Sequence, residues 1–89
     1  MYKVLFTKRA IKDIKKLDNQ LKKQTKLTID KIAKNPLLGE NLVGDLRGYH
    51  SIRIRSQWRL IYKIDKNKII IIGVGPHQIY EIIKRRLKI

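Results

Sequence analysis

The apolar residues of this chain change their spacing once, around Asn35 and Pro36, and that change limits the fold more than any other feature. Before it, Ile11, Ile14, Leu17 and Leu21 recur at intervals of three and four, and Leu21, Thr25, Thr28, Ile29 and Ile32 carry the pattern through a second stretch. This is the stripe that an α-helix buries. After it, Ile52 and Ile54 alternate with Ser51, Arg53 and Arg55, while Trp58–Ile64 and Ile69–Val74 are runs of aromatic and branched residues. Spacing by two places alternate side chains on opposite faces of a strand. Helices followed by a block of strands predict an α+β fold with the two kinds of element in separate layers.

The punctuation agrees. YKVLF (residues 2–6) reads as a short strand, and Thr7 is placed to cap a first helix through its hydroxyl. Asp18 and Asn19 break that helix, and a second one spans about 20–34. Pro36 ends it by disfavouring helix at Asn35, and Gly39 turns the chain. Strands follow at Tyr49–Arg55, Trp58–Ile64 and Ile69–Val74, joined by RSQ and DKNK, and Gly75-Pro76 closes the last. HQIYEIIKRRLKI then predicts a final helix with Ile79, Ile82, Ile83 and Leu87 on one side. The predicted order is β-α-α-β-β-β-α: an antiparallel meander with a helical hairpin packed on one face, the opposite face left open. Eighty-nine residues hold one modest core, so residues 1–89 are expected to form a single domain.

Several classes are disfavoured. The longest apolar run, Ile69–Ile72, falls far short of the ~18–20 residues that cross a bilayer. MYKVLFTKRA lacks the apolar core and small-residue cleavage site of a signal peptide. Without cysteine there is no disulfide framework and no thiolate metal site, and His50 and His77 alone make no convincing zinc site. The expectation is a cytoplasmic protein with no membrane segment, metal or cofactor.

Charge gives the partner class. Twenty-two basic residues against seven acidic ones leave +15, a field that attracts polyanions. The basic residues are not uniformly mixed. No lysine occurs between Asn35 and Tyr62, yet Arg47, Arg53, Arg55 and Arg59 all fall there. Arginine's planar fork binds phosphate oxygens in pairs and keeps its charge when half buried, which lysine does less well. If Ile52 and Ile54 face the helices, Arg53 and Arg55 face the open side of the sheet, with Glu40, Asp45 and the Gly75–Tyr80 turn at its edges. That face is the candidate anion site.

Order and spacing then resemble a known family. NPLLGENLVGDLRGYHSIRIRSQWRLIYKID and IIIIGVGPHQIYEII carry a Leu-x-Gly-Asp-Leu-x-Gly step at Leu42–Gly48, an Arg-Ile-Arg strand end at Arg53–Arg55, an aromatic-Arg-Leu-Ile-Tyr strand at Trp58–Tyr62, and a Gly-containing turn leading to Tyr80. Over essentially its whole length the chain resembles the RelE/ParE superfamily of type II toxin–antitoxin toxins. The resemblance implies a RelE-like messenger RNA interferase, a metal-independent endoribonuclease working on the ribosome (in its A site) and held inactive by a cognate antitoxin in a heteromeric complex. It also leaves open a ParE-like inhibitor of DNA gyrase without nuclease activity, and a non-toxic RNA-binding module on the same fold.

The resemblance assigns roles as well. Arg59 matches the arginine that stabilises the scissile phosphate. Arg53 falls where relatives carry a phosphate-contacting lysine, and Arg55 follows along the strand. Ser51 replaces another such lysine. Glu40 stands at the interval of a base-like glutamate, His77 in the turn that carries a catalytic arginine or histidine, and Tyr80 at the tyrosine that stacks on or orients the nucleotide. The implied reaction is attack of a ribose 2′-hydroxyl on its neighbouring phosphate, which needs a base, an acid and donors for the growing phosphorane charge. Arg47, Lys12, Lys16 and Lys23 are further candidates for RNA phosphate contacts, which add affinity without sequence choice. His50, by its parity with Ile52, belongs to the helix side, and Trp58 and Tyr62 to the core.

Overall fold

A computed structural model, describing residues 1–87, gives the order β1 (Lys3–Phe6), α1 (Lys8–Lys15), α2 (Asn19–Lys34), β2 (Glu40–Asn41), β3 (Tyr49–Arg55), β4 (Trp58–Asp65), β5 (Lys68–Gly75) and α3 (Ile79–Leu87). Short 3-10 turns at Pro36–Leu38 and Gly44–Leu46 flank β2. The expected cap forms, with Thr7 Oγ1 accepting from the Ala10 amide at 3.1 Å. Asp18, expected only to break the first helix, also caps the second, its Oδ1 accepting from the Leu21 amide at 2.8 Å. The last two residues of the predicted final helix, Lys88 and Ile89, lie outside the described residues. No helix among the described residues is long and apolar enough to cross a membrane.

The strands form one sheet in the order β1-β5-β4-β3-β2. β3, β4 and β5 make the antiparallel meander, β2 adds two residues to one edge, and β1 lies parallel to β5 at the other. Hydrophobic periodicity marks a strand but not its neighbour, so neither outer pairing was legible in advance. The β3–β4 hairpin turns with Ser56 at φ +50° and the β4–β5 hairpin with Lys66 at φ +58°, the left-handed geometry that tight hairpins use.

On one face, α1 and α2 cover a core of Ala10, Leu17, Leu21, Ile32, Leu60, Tyr62, Ile69, Ile71 and Val74, with Ile52, Ile54 and Trp58 packed against it. Thr25 and Thr28 are buried in the same layer and donate to the carbonyls of Leu21 and Gln24, one helical turn back. Tyr62 is wholly buried. Its hydroxyl donates to the Pro36 carbonyl at 2.6 Å and accepts from the Gly39 amide at 3.1 Å, tying the loop after α2 to the sheet. A Cβ at Gly39 would lie 2.5 Å from that hydroxyl, so the close approach requires glycine there.

The opposite face is not fully open, unlike the sequence expectation. α3 crosses it and packs Ile79 and Ile83 against Ile61 and Leu46 in a second, smaller core. Gly73 and Gly75 of β5 make room, since Cβ atoms there would meet Ile83 at 2.6 Å and Ile79 at 3.2 Å. Ile82 and Leu87, expected on the apolar side of α3, remain 37% exposed. Periodicity shows that a helix has a buried stripe, and says nothing about which face of the sheet receives it.

Candidate functional site

The part of the second face that α3 leaves uncovered is the arginine region. In the β3–β4 register Arg53 stands directly opposite Arg59, and Arg59 in turn opposite Gly75. One row across three strands therefore reads Arg53, Arg59, Gly75, and the chain reaches His77 two residues further on. The next row reads Glu40, Ser51, Ile61, Gly73. Rows two residues apart along a strand are separated by about 7 Å, roughly the spacing of successive phosphates on a nucleotide strand.

Two like charges opposite each other on a sheet repel. Among the described residues the only ion pairs are Lys84–Glu81 and Arg86–Asp13, so neither Asp45 nor Glu81 neutralises Arg53 or Arg59. Arg59 is half buried and folds back on its own hairpin, donating through one terminal nitrogen to the carbonyls of Ser56 at 2.9 Å and Trp58 at 3.3 Å. These bonds hold the guanidinium in place and leave its other donors for an external anion. Arg53 is exposed beside it.

Tyr80 reaches the second row from α3. Its hydroxyl lies 2.7 Å from Ser51 Oγ, and Ser51 is buried, 4% exposed. His77 is exposed and meets the Tyr80 ring edge-on, ring centroids 5.6 Å apart. Glu40 is exposed on β2 as the register partner of Ser51. Arg53, Arg59, His77, Tyr80 and Glu40 thus occupy one region, assembled from three strands, the turn after β5 and a helix.

The remaining candidates are placed otherwise. A β-bulge between Arg53 and Arg55 breaks the alternation, so Arg55 stands opposite Trp58, whose ring packs in the helical core. Arg55 therefore does not continue the Arg53–Arg59 row along the same face, as the unbroken alternation predicts. Arg47 is exposed after the Gly44–Leu46 turn. Lys12 and Lys23 are exposed on the helices that cover the other side of the sheet, and Lys16 lines a cleft between α1 and α3. They do not extend the arginine face.

His50 lies on the helix side, its ring stacked on Tyr62 at 5.2 Å, and Nδ1 is buried without a partner. Burial lowers its pKa below that of a free histidine. The same burial raises the pKa of Tyr62, opposed in part by the bond from the Gly39 amide. Among the described residues no cluster of three or more His, Cys, Asp or Glu side chains could hold a metal. Sequence reasoning had no role for Ser51 beyond a missing lysine. The signal available was its size: between Glu40 and Ile61 on its row it is a small polar residue, which leaves space for an incoming hydroxyl.

A five-stranded sheet with a helical pair on one side, a short helix on the other and an arginine row between defines a basic protein of the RelE/ParE superfamily. The chain belongs to the ParE-like toxins of type II bacterial toxin–antitoxin systems, whose family model matches residues 4–84. The mRNA interferase toxin RelE of Escherichia coli K12 is 26% identical over 86 residues, 93% of this chain and 90% of its own length. Toxin YoeB of Synechocystis is 39% identical over 64 residues, 67% of this chain and 74% of its own. Among solved structures, the toxin–antitoxin complex RelBE2 of Mycobacterium tuberculosis superposes with a TM-score of 0.76 at 30% identity, covering 84% of this chain and 96% of that one.

Proposed function

We propose that this toxin is a messenger RNA endonuclease of the RelE and YoeB kind, working on the ribosome without a metal, and that the Arg53–Arg59–Gly75 row with the His77–Tyr80 turn is its active face. The observation that carries this reading is the pair of arginines in direct register with no carboxylate beside them. An unpaired like-charged pair on a sheet is destabilising unless an anion occupies it, and a bridging phosphate has oxygens for both forks. Relatives named as mRNA interferases support the same chemistry.

In this reading the RNA phosphate lies over the row. Glu40 takes the proton of the 2′-hydroxyl, whose oxygen attacks phosphorus. Arg59 and Arg53 stabilise the extra negative charge of the phosphorane. His77 gives a proton to the departing 5′-oxygen, leaving a 2′,3′-cyclic phosphate and a 5′-hydroxyl. Tyr80, fixed by Ser51, holds the nucleotide at one side of the row.

The cognate antitoxin would cover what the fold leaves apolar. β1 is an edge strand with Leu5 and Phe6 38% and 42% exposed. A groove of about 490 Å³ beside it is lined by Val4, Phe6, Ile11, Ile14 and Ile29, its polar lining carrying three lysines (Lys15, Lys22 and Lys26) against one carboxylate, Asp30. An open edge next to an apolar groove suits an added strand and an amphipathic acidic segment.

The test is inducible expression of wild type beside Arg59→Ala, with 5′ ends mapped on abundant messages during growth arrest. Loss of one such charge-stabilising donor costs ~10²–10³ in rate, so cuts within translated frames should appear with wild type and vanish with the variant. Growth arrest with intact messages and damaged DNA would instead establish the ParE-like inhibition of gyrase.

A further inference from the structure

α3 has nine residues, too few to be stable as an isolated helix. Beyond Ile79 and Ile83 near its start, its anchor is Arg86 near its end. The Arg86 guanidinium meets the Asp13 carboxylate of α1 through two parallel bonds, Nη1 to Oδ2 and Nη2 to Oδ1, both 3.0 Å. The two side chains are only 16% and 12% exposed. Asp13 Oδ2 also accepts the Val74 amide at 3.0 Å, and Arg86 Nη1 approaches the Ile72 carbonyl, which Thr7 Oγ1 shares at 3.3 Å.

The reason for this arrangement lies in the sheet. β1 stops at Phe6, opposite Ile71, while β5 continues to Gly75. Beyond that point the outer edge of β5 has no strand partner, and Thr7 and α1 take its place, with Asp13 in the last turn of α1 supplying the acceptor for the Val74 amide. Gly73 then completes the seat, because a Cβ there would lie 2.9 Å from Arg86 Nη1 and 3.2 Å from Asp13 Oδ2. One carboxylate thus joins α1, the free end of β5 and α3. A cleft of about 260 Å³ between α1 and α3, lined by Asp13, Leu17, Trp58, Pro76 and Arg86, runs alongside it. The helix therefore rests on a few anchors and not on a continuous packed seam.

We propose that the Asp13–Arg86 pair is a latch that sets Tyr80. With the pair closed, α3 lies on the sheet and the Tyr80 hydroxyl is held 2.7 Å from Ser51 Oγ. With it open, α3 loosens from its C-terminal end and Tyr80 loses its fixed position beside the arginine row, while the meander and the α1–α2 core stay intact. Asp13 and Arg86 are positioning residues, acting on the site through Tyr80. The functional consequence rests on reading Tyr80 as part of the active face, but the latch itself does not.

The test uses the full chain with its four tyrosines replaced by 3-fluorotyrosine, the Tyr80 fluorine resonance being assigned by its loss in Tyr80→Phe. Asp13→Asn keeps an acceptor for the Val74 amide and removes the charge; Arg86→Met removes the fork. Each should shift or broaden the Tyr80 resonance while the Tyr62 resonance stays unchanged. Amides of Ile82–Leu87 should exchange roughly ten-fold faster or more, with β4 amides as protected as in wild type. Arg86→Lys, which keeps the charge without the fork, should fall between. A wild-type Tyr80 resonance and wild-type α3 protection in both folded variants would overturn the latch. Equal loss of protection in α3 and β4 would overturn it too, making the pair a fold-wide stabiliser. Neither readout involves RNA, so the latch stands or falls separately from the cleavage reading.

Discussion

Arg53 and Arg59 pair across an antiparallel ladder with no carboxylate between them, an arrangement that lowers stability by an amount comparable to one cross-strand pair, about 0.2–1 kcal/mol. A phosphate bridging the two guanidinium groups would remove that cost. The consequence is a substitution whose effects on stability and activity have opposite signs. Arg53→Glu converts the repulsive pair into an attractive one. Its melting temperature should match or exceed that of wild type by up to a few degrees, while RNA cleavage and RNA binding fall sharply. Thermal melts and an RNA-binding titration on the same sample check both halves. A clear drop in melting temperature would mean that Arg53 is held by favourable contacts and is not a strained anion ligand.

At the level of elements, β3 carries different chemistry on its two sides. One side presents Ser51 and Arg53 to the site. The other presents His50 to Tyr62, below the loop that Tyr62 ties down through Pro36 and Gly39. Burial depresses the His50 pKa below its ordinary value near 6.5, so at pH 7 the imidazole is uncharged in the fold. Below pH 6.5 the unfolded chain binds this proton more readily than the folded one. The contribution of His50 is thus full above 6.5 and is lost as pH falls from there through the depressed value. His50→Phe keeps a ring on Tyr62 and cannot be protonated. Melting temperature measured against pH should decline less steeply below 6.5 in this variant than in wild type, and identical slopes would show that another group carries the acid sensitivity.

For the molecule as a whole, +15 on 89 residues repels itself, and polyanions that bind the folded state should stabilise it. A short single-stranded RNA should raise the melting temperature at low ionic strength, and the shift should shrink steeply with added salt as counterions compete. Arg53→Ala/Arg59→Ala and Lys12→Ala/Lys23→Ala remove the same charge from opposite sides of the sheet. The arginine pair should lose most of the shift and the lysine pair little of it. Equal losses would mean that the field of the whole molecule, not the arginine row, binds the RNA.

Apart from β2, whose two residues are too few to show a period, the strands and helices of this protein were legible in its sequence because local chemistry makes them. Thr7 and Asp18 cap the helices they precede, Pro36 and Gly39 separate the two periods, and alternation alone put His50, Trp58 and Tyr62 with the core and Arg53 on the other face. What decided the site lay elsewhere. Which face receives α3, which strand β1 joins, and whether Arg55 continues the row past a bulge are all consistent with the same periodic pattern. Asp13 shows the limit most sharply. Among the lysines of α1 it reads as one more solvated charge, yet it meets Arg86, 73 residues away, and the unpaired end of β5. Periodicity records that a residue is buried and along which stripe. Its partner is set by where distant segments are brought together, and that is a property of the folded chain.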